Sequence, residues 1–393
     1  MTKLFDPERG LGLAFLRQPV GLSDFSREYS SYDDVPGDVN LEHFSVARDD
    51  EMIIPLIKQA MSINRNIKVI AAAWTAPKWM KTYDYWNTVD SNGNGIYNRL
   101  KAEHYGTYAD YLVKFIEEYG KRGINIYAIS PQNEPDGRHA IPSMFFDKYD
   151  MSRFVGGYLK PALVASGLET KLIGYDFNWF GIDSDEENNI ANLDRIRGFI
   201  TGTQADIIAF HTYAGDVKVQ STIHSDFPDT PIYITEAAGN TGADNFMLSV
   251  TNTVKAFKNH ASAYIYWNIM LDEERGPLFG GTEMNPVGIG LMEYNKNTGK
   301  VKYLSDYYAI AHYSRFISCG AHIIETNDTG DQLFNIAAVN PDGSMAAIIA
   351  NIANVTQAVK IVIDGGYVIK CTVPKNSAVT VKWNPDAIGK LAI

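Results

Sequence analysis

The sequence predicts an α/β fold, in which a barrel of parallel strands and helices is followed by a smaller antiparallel β-sandwich. Short apolar segments that end in polar or aromatic residues alternate with segments of helical spacing, which is typical of βα units. After about Gly320, short β-rich runs alternate with turns of Gly, Asn, Asp and Pro. The length of 393 residues suits one large domain and one small domain. We therefore expect a barrel over 1–317 and a sandwich over 318–393.

The clearest strand leads into the segment Asn133-Glu134-Pro135. Its first half is apolar and β-branched, which favours a buried parallel strand. Pro135 lacks an amide donor and disfavours helical backbone at Glu134, so the strand must end there. Seven barrel strands are predicted, at 11–19, 67–74, 124–132, 171–176, 207–211, 231–236 and 263–268. Helices are predicted at 53–61, 105–119, 154–164, 193–200, 245–256 and 303–317.

The sandwich is predicted from five short β-rich runs near the C-terminus. These runs are 333–339, 345–350, 359–363, 367–373 and 378–383, with a hairpin turn at 364–366.

Composition excludes several classes of protein. The net charge of -11 and the pI of about 5.2 argue against a nucleic-acid partner. Cys319 and Cys371 lack metal-ligand spacing and are expected to be free, buried thiols. No apolar run is long enough to span a membrane, and the first residues carry no signal segment. As written, the chain is expected to be soluble and not exported.

Two carboxylates carry the predicted chemistry. Glu134 and Glu236 each end a barrel strand, and α/β barrels hold their active sites at the carboxyl ends of strands. Hydrolysis of a glycosidic bond needs two carboxyl groups that flank it, one to protonate the leaving oxygen and one to attack the sugar. The surroundings suit a sugar, with ring faces at Trp74, Trp79, Trp179, Tyr213, Tyr266 and Trp267 and hydroxyl-binding groups at Asn133, His211 and Asn268.

Other chemistries fit less well. His211 is the only histidine among the strand ends, whereas a metal hydrolase needs several ligands there. The sequence has no Gly-x-Ser-x-Gly, Gly-x-Gly-x-x-Gly or phosphate-loop motif. We therefore predict no metal site and no cofactor.

A series of motifs makes the prediction specific. In chain order they are Leu16–Gly21 with Ser23–Ser26, Trp74–Lys81, Gln132–Pro135, His211–Tyr213, Thr235-Glu236 and Trp267-Asn268. Together they resemble glycoside hydrolase family 30, the glucosylceramidase-like family of retaining β-glycosidases. Asn-Glu-Pro alone is shared more widely, but the complete series is typical of this family.

The resemblance implies a (β/α)8 barrel with an attached β-sandwich. It implies that Glu134 is the acid/base and Glu236 the nucleophile. It further implies that Asn133 bonds the sugar 2-hydroxyl, that Tyr213 lies close to the nucleophile, and that Trp74 and Trp267 line the sugar subsite. We expect the two carboxyls to lie about 5–5.5 Å apart, and the pKa of Glu134 to be raised by the charge of Glu236.

One departure from the family pattern is evident. Family members carry a first barrel strand that ends in a Gly-Gly-rich segment with a sugar-binding Asp, and this sequence shows no such segment. We therefore expect the first barrel strand to be missing, so that seven strands leave the edges at 11–19 and 263–268 unpaired. A signal peptide could have been lost with that strand, which leaves secretion open.

The expected activity is hydrolysis of a carbohydrate or glycolipid, either glucosylceramide-like or a β-1,6-glucan. A xylan-directed member that reads acidic side groups is the alternative, although Arg275 is the only basic candidate in the late loops. An alternative from a different class of function is that the chain is an inactive carbohydrate-binding remnant. The oligomeric state is open.

Overall fold

The computed structural model describes residues 1–90, 92–180, 191–239, 244–277, 289–327, 329–363 and 367–385. The helices are α1 (Thr2–Phe5), α2 (Ala47–Ile63), α3 (Tyr105–Lys121), α4 (Lys148–Phe154), α5 (Lys160–Ala165), α6 (Leu193–Thr203), α7 (Lys218–Asp226), α8 (Phe246–Lys258) and α9 (Ser305–Ser314). Helices α1 and α7 are additional to those predicted. The barrel strands are β1 (Phe15–Pro19), β2 (Lys68–Ala72), β3 (Ile126–Ser130), β4 (Lys171–Asn178), β5 (Ile207–His211), β6 (Ile232–Glu236) and β7 (Ala261–Tyr264).

The barrel strands form one parallel sheet in the order β1 to β7, each hydrogen-bonded to the next in the chain. This is the sheet of a (β/α)8 barrel, and the described residues supply seven of its strands. The seven predicted strands are confirmed. Because parallel strands all point the same way, their carboxyl ends meet at one rim, and that rim holds the predicted site residues.

The last predicted strand differs at its end. β7 stops at Tyr264, and Asn268 begins a further strand, β8 (Asn268–Asp272), in a separate sheet with β9 (Gly290–Tyr294) and β10 (Val301–Tyr303). This small sheet was not predicted. The sequence from Ala263 to Leu271 is continuously rich in apolar and aromatic residues, so it does not mark where the chain leaves one sheet for the other.

The barrel edges match the prediction of an open seam. Among the described residues, no strand pairs with the outer edge of β1 or of β7. A cavity of about 380 Å³ lies there, lined by Ala14 and Phe15 on one side and by Tyr264 and Ile265 on the other. The seam is therefore apolar.

Two apolar layers hold the barrel together. The interior is filled by short or β-branched side chains from successive strands, such as Ile70, Ala128 and Ile207. A larger layer lies between the sheet and the helices, where α3 buries Tyr108 and Phe115. Burial of a large apolar side chain contributes about 1.5–3 kcal/mol. These layers fix the strands, and with them the rim.

The C-terminal strands are antiparallel, as predicted. A four-stranded sheet joins β11 (His322–Ile324), β12 (Leu333–Val339), β13 (Met345–Asn351) and β16 (Ser377–Trp383), and a hairpin joins β14 (Gln357–Ile363) and β15 (Tyr367–Val373). The turn predicted at 364–366 lies outside the described residues. Cys319 and Cys371 are free, as expected, but Cys319 is exposed and Cys371 is half-buried, so the prediction of buried thiols is wrong. No helix in the described ranges has the length and apolarity needed to cross a membrane.

Candidate active site

The predicted catalytic residues meet at the carboxyl-end rim. Glu236 is the last residue of β6, His211 is the last residue of β5, and Glu134 lies in the loop just after β3. One carboxylate oxygen of each glutamate and a ring nitrogen of His211 all lie within 4.8 Å of one another. The nearest carboxylate oxygens are thus closer than the inverting range of about 6.5–9.5 Å, which favours a retaining pair, for which about 5–5.5 Å is expected.

The backbone at the rim is distorted in a way that brings side chains inward. Glu134 has φ +47°, and its amide donates to the carbonyl of Asp176 at 3.1 Å. In β4, Tyr175 and Asp176 both have positive φ, where the pairing with β5 shifts register. Left-handed backbone at such residues costs roughly 1–3 kcal/mol each. The bulge turns the carboxylate of Asp176 toward the site.

Arg17 on β1 connects three residues of the site by hydrogen bonds. Its Nη1 donates to Glu236 Oε1 at 2.6 Å, and its Nη2 donates to Asn133 Oδ1 at 2.7 Å and to Asp176 Oδ2 at 2.9 Å. The side chain is only 4% exposed. A buried guanidinium between two carboxylates fixes their positions and favours their ionised forms.

Two imidazoles hold the two oxygens of Glu134. His211 Nδ1 is hydrogen-bonded to Oε1 at 2.8 Å, whereas His139 Nε2 lies 3.0 Å from Oε2 without the geometry of a hydrogen bond. Burial alone would raise the pKa of Glu134, but these contacts and the charges on both histidines outweigh burial and lower that pKa. The expectation of a raised pKa for Glu134 is therefore wrong for this geometry, because sequence reasoning did not place two histidines against it.

The pKa of Glu236, the candidate nucleophile, is shifted in the opposite direction to that of Glu134. Burial raises the pKa of Glu236, and the negative charges of Glu134 and Asp176 raise it further, against the opposing charges of His211 and Arg17. Tyr213 Oη donates to Glu236 Oε2 at 3.2 Å, as the resemblance implied. The charges of His211 and Arg17 and the hydrogen bond from Tyr213 are therefore what favours the ionised form of this carboxyl.

Asp24 is a third carboxyl near the pair. Burial, followed by the charges of Glu236 and Glu134, raises the pKa of Asp24 to about 7. Its Oδ1 is inaccessible and has no hydrogen-bond partner among the described residues. The Nδ2 of Asn268 is in the same condition. Because an unpaired buried polar atom costs about 1–3 kcal/mol, both atoms are suited to bond a hydroxyl of a ligand.

The aromatic residues divide into two groups. The rings of Trp74 and Trp267 stack at 5.4 Å, with the guanidinium of Arg17 4.8 Å from the Trp74 ring centre. Trp74 is nearly inaccessible, whereas Trp267 is half-buried and also touches Phe25. Trp267 is therefore the ring of this pair with more surface for a ligand.

The other aromatic residues at strand ends form the wall of the candidate active site. Trp79 donates to the carbonyl of Asp33, Trp179 donates to Gln220, and the hydroxyl of Tyr266 accepts from the Gly239 amide. These hydrogen bonds fix the three rings at their polar atoms, and their contact with sugar stays a prediction.

The comparisons with known proteins agree with this geometry. The glycosyl hydrolase family 30 TIM-barrel domain matches residues 1–317, and the family 30 β-sandwich domain matches residues 320–381. The chain belongs to glycosyl hydrolase family 30. It is a glycoside hydrolase.

Relatives of this family 30 enzyme have two named activities. The endo-1,6-β-D-glucanase of Trichoderma harzianum is 28% identical, over 94% of this chain and 76% of the relative. A putative glucosylceramidase of Caenorhabditis elegans is 30% identical, over 89% of this chain and 68% of the relative. Among solved structures, the endo-β-1,6-glucanase BT3312 superposes with a TM-score of 0.85 at 29% identity, covering 98% of this chain and 85% of that structure.

A metal ion is a poor fit to the carboxylate cluster. Within the described ranges, Glu134, His211 and Glu236 are close enough to share an ion. However, the Arg17 guanidinium already contacts Glu236, and nearby negative charges raise the pKa of buried His211 to about 10 although burial opposes this. Two cationic groups in contact with the donors disfavour a third cation.

Sequence reasoning missed four residues of this family 30 site. Arg17 and Asp24 lie within the quoted motifs but were given no role. Asp176 was seen only as a polar strand end, and its inward position depends on the bulge. His139 had no sequence signal, since it lies five residues beyond Glu134 in an irregular loop.

Proposed function

We propose that this chain hydrolyses β-1,6-linked glucan with retention of configuration, with Glu134 as acid/base and Glu236 as nucleophile. The observation that carries this proposal is the close approach of the two carboxylates at the rim of a family 30 barrel. Glu236 attacks the anomeric carbon while the leaving oxygen takes a proton from Glu134. Water, activated by Glu134, then releases the sugar from the covalent intermediate.

The binding of the sugar is assigned to polar groups that surround the pair. Asn133, fixed by Arg17, is proposed to bond the 2-hydroxyl, and Asp24 and Asn268 to bond other hydroxyls. His211 and Tyr213 act on the two carboxylates rather than on the sugar. Trp267 supplies the ring face, and Trp74 supports it from behind.

The choice of a glucan chain is supported by the rim and by the relatives. The loop after β2 exposes the rings of Tyr83, Tyr85 and Tyr97 by 51%, 41% and 53%. This loop is tied to the loop after β3, where the Ser143 amide donates to the Trp86 carbonyl at 3.0 Å. Exposed amphipathic rings on a loop that contacts the loop of the acid/base suit further sugar units of a polymer. The similarity to endo-1,6-β-glucanases points the same way.

Glucosylceramide is the second candidate, because several relatives carry the name glucosylceramidase. The experiment compares the release of glucose or oligosaccharide from β-1,6-glucan, micellar glucosylceramide and xylan by the wild type and by Glu236→Gln. We expect turnover of the glucan that is lost in the variant, and NMR should show the β anomer first. A first-formed α anomer, or binding of glucan without any turnover, would refute the proposal.

A further inference from the structure

A cavity of about 300 Å³ lies beside the loop that carries Glu134, and the reaction outlined above does not use it. Its lining residues come from the loops after β2 and β3 and from α4 and α6. Four of these side chains are cationic, although the whole chain has a net charge of -11. We call this cavity the basic cradle, after its cationic residues Arg99, Arg138, Lys148 and Arg195, which are joined by the rings of Tyr97 and Phe145.

Two of the four cations are held by carboxylates. Arg99 Nη1 donates to Asp147 Oδ2 at 2.8 Å and to Asp150 Oδ2 at 2.5 Å. Arg195 Nε donates to Asp136, which is fully buried. Arg99 makes its two bonds with Nη1 alone, so its Nε and Nη2 have no acceptor among the described residues. Arg99 is therefore fixed in place and still has donors to offer.

The other two cations have no counter-charge. Arg138 is exposed and Lys148 is half-buried, and within the described ranges no carboxylate or carbonyl oxygen accepts a hydrogen bond from either side chain. The ring centre of Tyr97 lies 5.3 Å from the guanidinium of Arg138 and 5.5 Å from that of Arg99. Like charges that line one cavity repel each other, and an anion bound between them would remove that repulsion.

Two glycines make room for the unpaired cations. A Cβ atom on Gly95 would lie 3.1 Å from Arg138 Cδ, and a Cβ atom on Gly198 in α6 would lie 2.4 Å from Lys148 Cδ. Glycine at these positions therefore leaves the space that the aliphatic parts of the two side chains occupy.

The basic cradle adjoins the acid/base. Arg138 follows Glu134 by four residues, so at most roughly 14 Å of backbone separates them. Asp136 lies between them in the same loop and is bonded to Arg195, which lines the cavity. The acid/base of a glycosidase faces the leaving oxygen, so the leaving part of the substrate lies on its side of the carboxylate pair. A group in the cradle would therefore belong to the leaving part.

We propose that the basic cradle binds an acidic substituent, a carboxylate or a phosphate, on the leaving part of the substrate, an inference that rests on the proposed function. Arg99 and Arg138 donate to its oxygens, which suit the planar guanidinium group. Lys148 adds a third positive charge. The exposed ring of Tyr97 contacts the sugar that carries the acidic group.

The test uses β-1,6-linked glucose oligosaccharides of increasing length and the same oligosaccharides oxidised to a carboxylate at the reducing end, which is the leaving end. The readout is the ratio of kcat/KM for the oxidised form to kcat/KM for the neutral form. In the wild type we expect a ratio of about ten or more at the length whose carboxylate reaches the cradle, the effect of one hydrogen bond to a charged group. Added salt should lower this ratio, because the cavity is open to solvent.

The decisive variant is Arg138→Gln with Lys148→Gln, which should bring the ratio close to one. The matched control is Lys58→Gln with Arg65→Gln, which removes the same charge at two exposed positions and should keep the wild-type ratio. Gly198→Ala keeps every cation but displaces Lys148, so it should also lower the ratio. A wild-type ratio near one at every length, or a ratio that neither the double variant nor Gly198→Ala lowers, would overturn the proposal.

Binding without turnover separates this proposal from the proposed function. In calorimetry, Glu236→Gln should bind the oxidised oligosaccharide about tenfold more tightly than the neutral one, and inorganic phosphate should compete with it. If phosphate binds but the oxidised form binds no better than the neutral form, the cradle is a site for a free anion and the proposal is overturned. Absence of turnover on every glucoside by the wild type would instead refute the proposed function, and the binding comparison would still decide what the cradle holds.

Discussion

Replacement of Arg17 by Met tests how the buried charges of the site are balanced. The side chain of Met replaces the aliphatic part of the Arg side chain but has no charge and no donor. It removes three hydrogen bonds, to Glu236, Asn133 and Asp176. Two carboxylates, each no more than 5% exposed, then lose their shared cation.

The magnitude follows from this loss. Breaking a buried ion pair by removing one partner costs about 3–5 kcal/mol. His211 remains charged beside both carboxylates, at 3.3 Å from Asp176 and 3.7 Å from Glu236, so we expect the lower end of that range. In a chain of 393 residues the melting temperature should fall by about 3–5 °C.

Activity should respond through the nucleophile. Arg17 opposes the rise in the pKa of Glu236, so its removal raises that pKa further. Because Glu236 must be ionised to attack, the acidic limb of the kcat profile should move to higher pH by about 1–3 pH units. The assay is thermal unfolding together with the pH profile on an aryl β-glucoside.

The matched control is the double variant Arg17→Met with Asp176→Asn. It removes one of the two carboxylates that lost their cation, so part of the lost stability should return. The acidic limb should also move part of the way back, because the charge of Asp176 raises the pKa of Glu236. A single variant that melts within about 1 °C of the wild type, or that keeps the wild-type acidic limb, would refute the reasoning.

Three further outcomes are expected. The variant Glu134→Ala should still form the covalent intermediate from substrates with good leaving groups, and azide should restore its turnover. The variant Glu236→Ala should not respond to azide in that way with the same substrate. The reverse result would exchange the roles of acid/base and nucleophile. The pKa of Asp24 is raised from 3.8 to about 7, so the buried carboxylate destabilises the native state as the pH rises from about 4 to 7. The variant Asp24→Asn should therefore melt at a higher temperature than the wild type at pH 8 but not at pH 4. An equal difference in melting temperature at both pH values would contradict this. A chain extended by an apolar strand that pairs in parallel with β1 and β7 should have a higher melting temperature and turn over aryl β-glucoside faster. The added strand would cover the unpaired backbone groups of the two edges and the apolar seam. No change in melting temperature or turnover would show that the seam does not accept a strand.

The sequence alone determined the barrel strands and the two glutamates. Apolar segments with β-branched residues mark buried parallel strands, and Pro135 marks the end of β3, so Glu134 could be placed at the rim by local chemistry. The motif series indicated the family in the same way. None of this needs knowledge of distant contacts, because strand propensity and turn residues act within a few positions.

Only the tertiary structure decided which groups surround those glutamates. Arg17 and Glu236 are 219 positions apart, and His211 and Glu134 are 77 apart. Their contact depends on sheet closure, on the bulge at Asp176 and on the loop that places His139. The pKa of a carboxyl is set by charges within a few ångströms, so the order of acidities at Glu134 and Glu236 could not be derived from sequence. The same holds for the aromatic residues, because a ring at a strand end turns to the ligand or to the wall according to its neighbours in space.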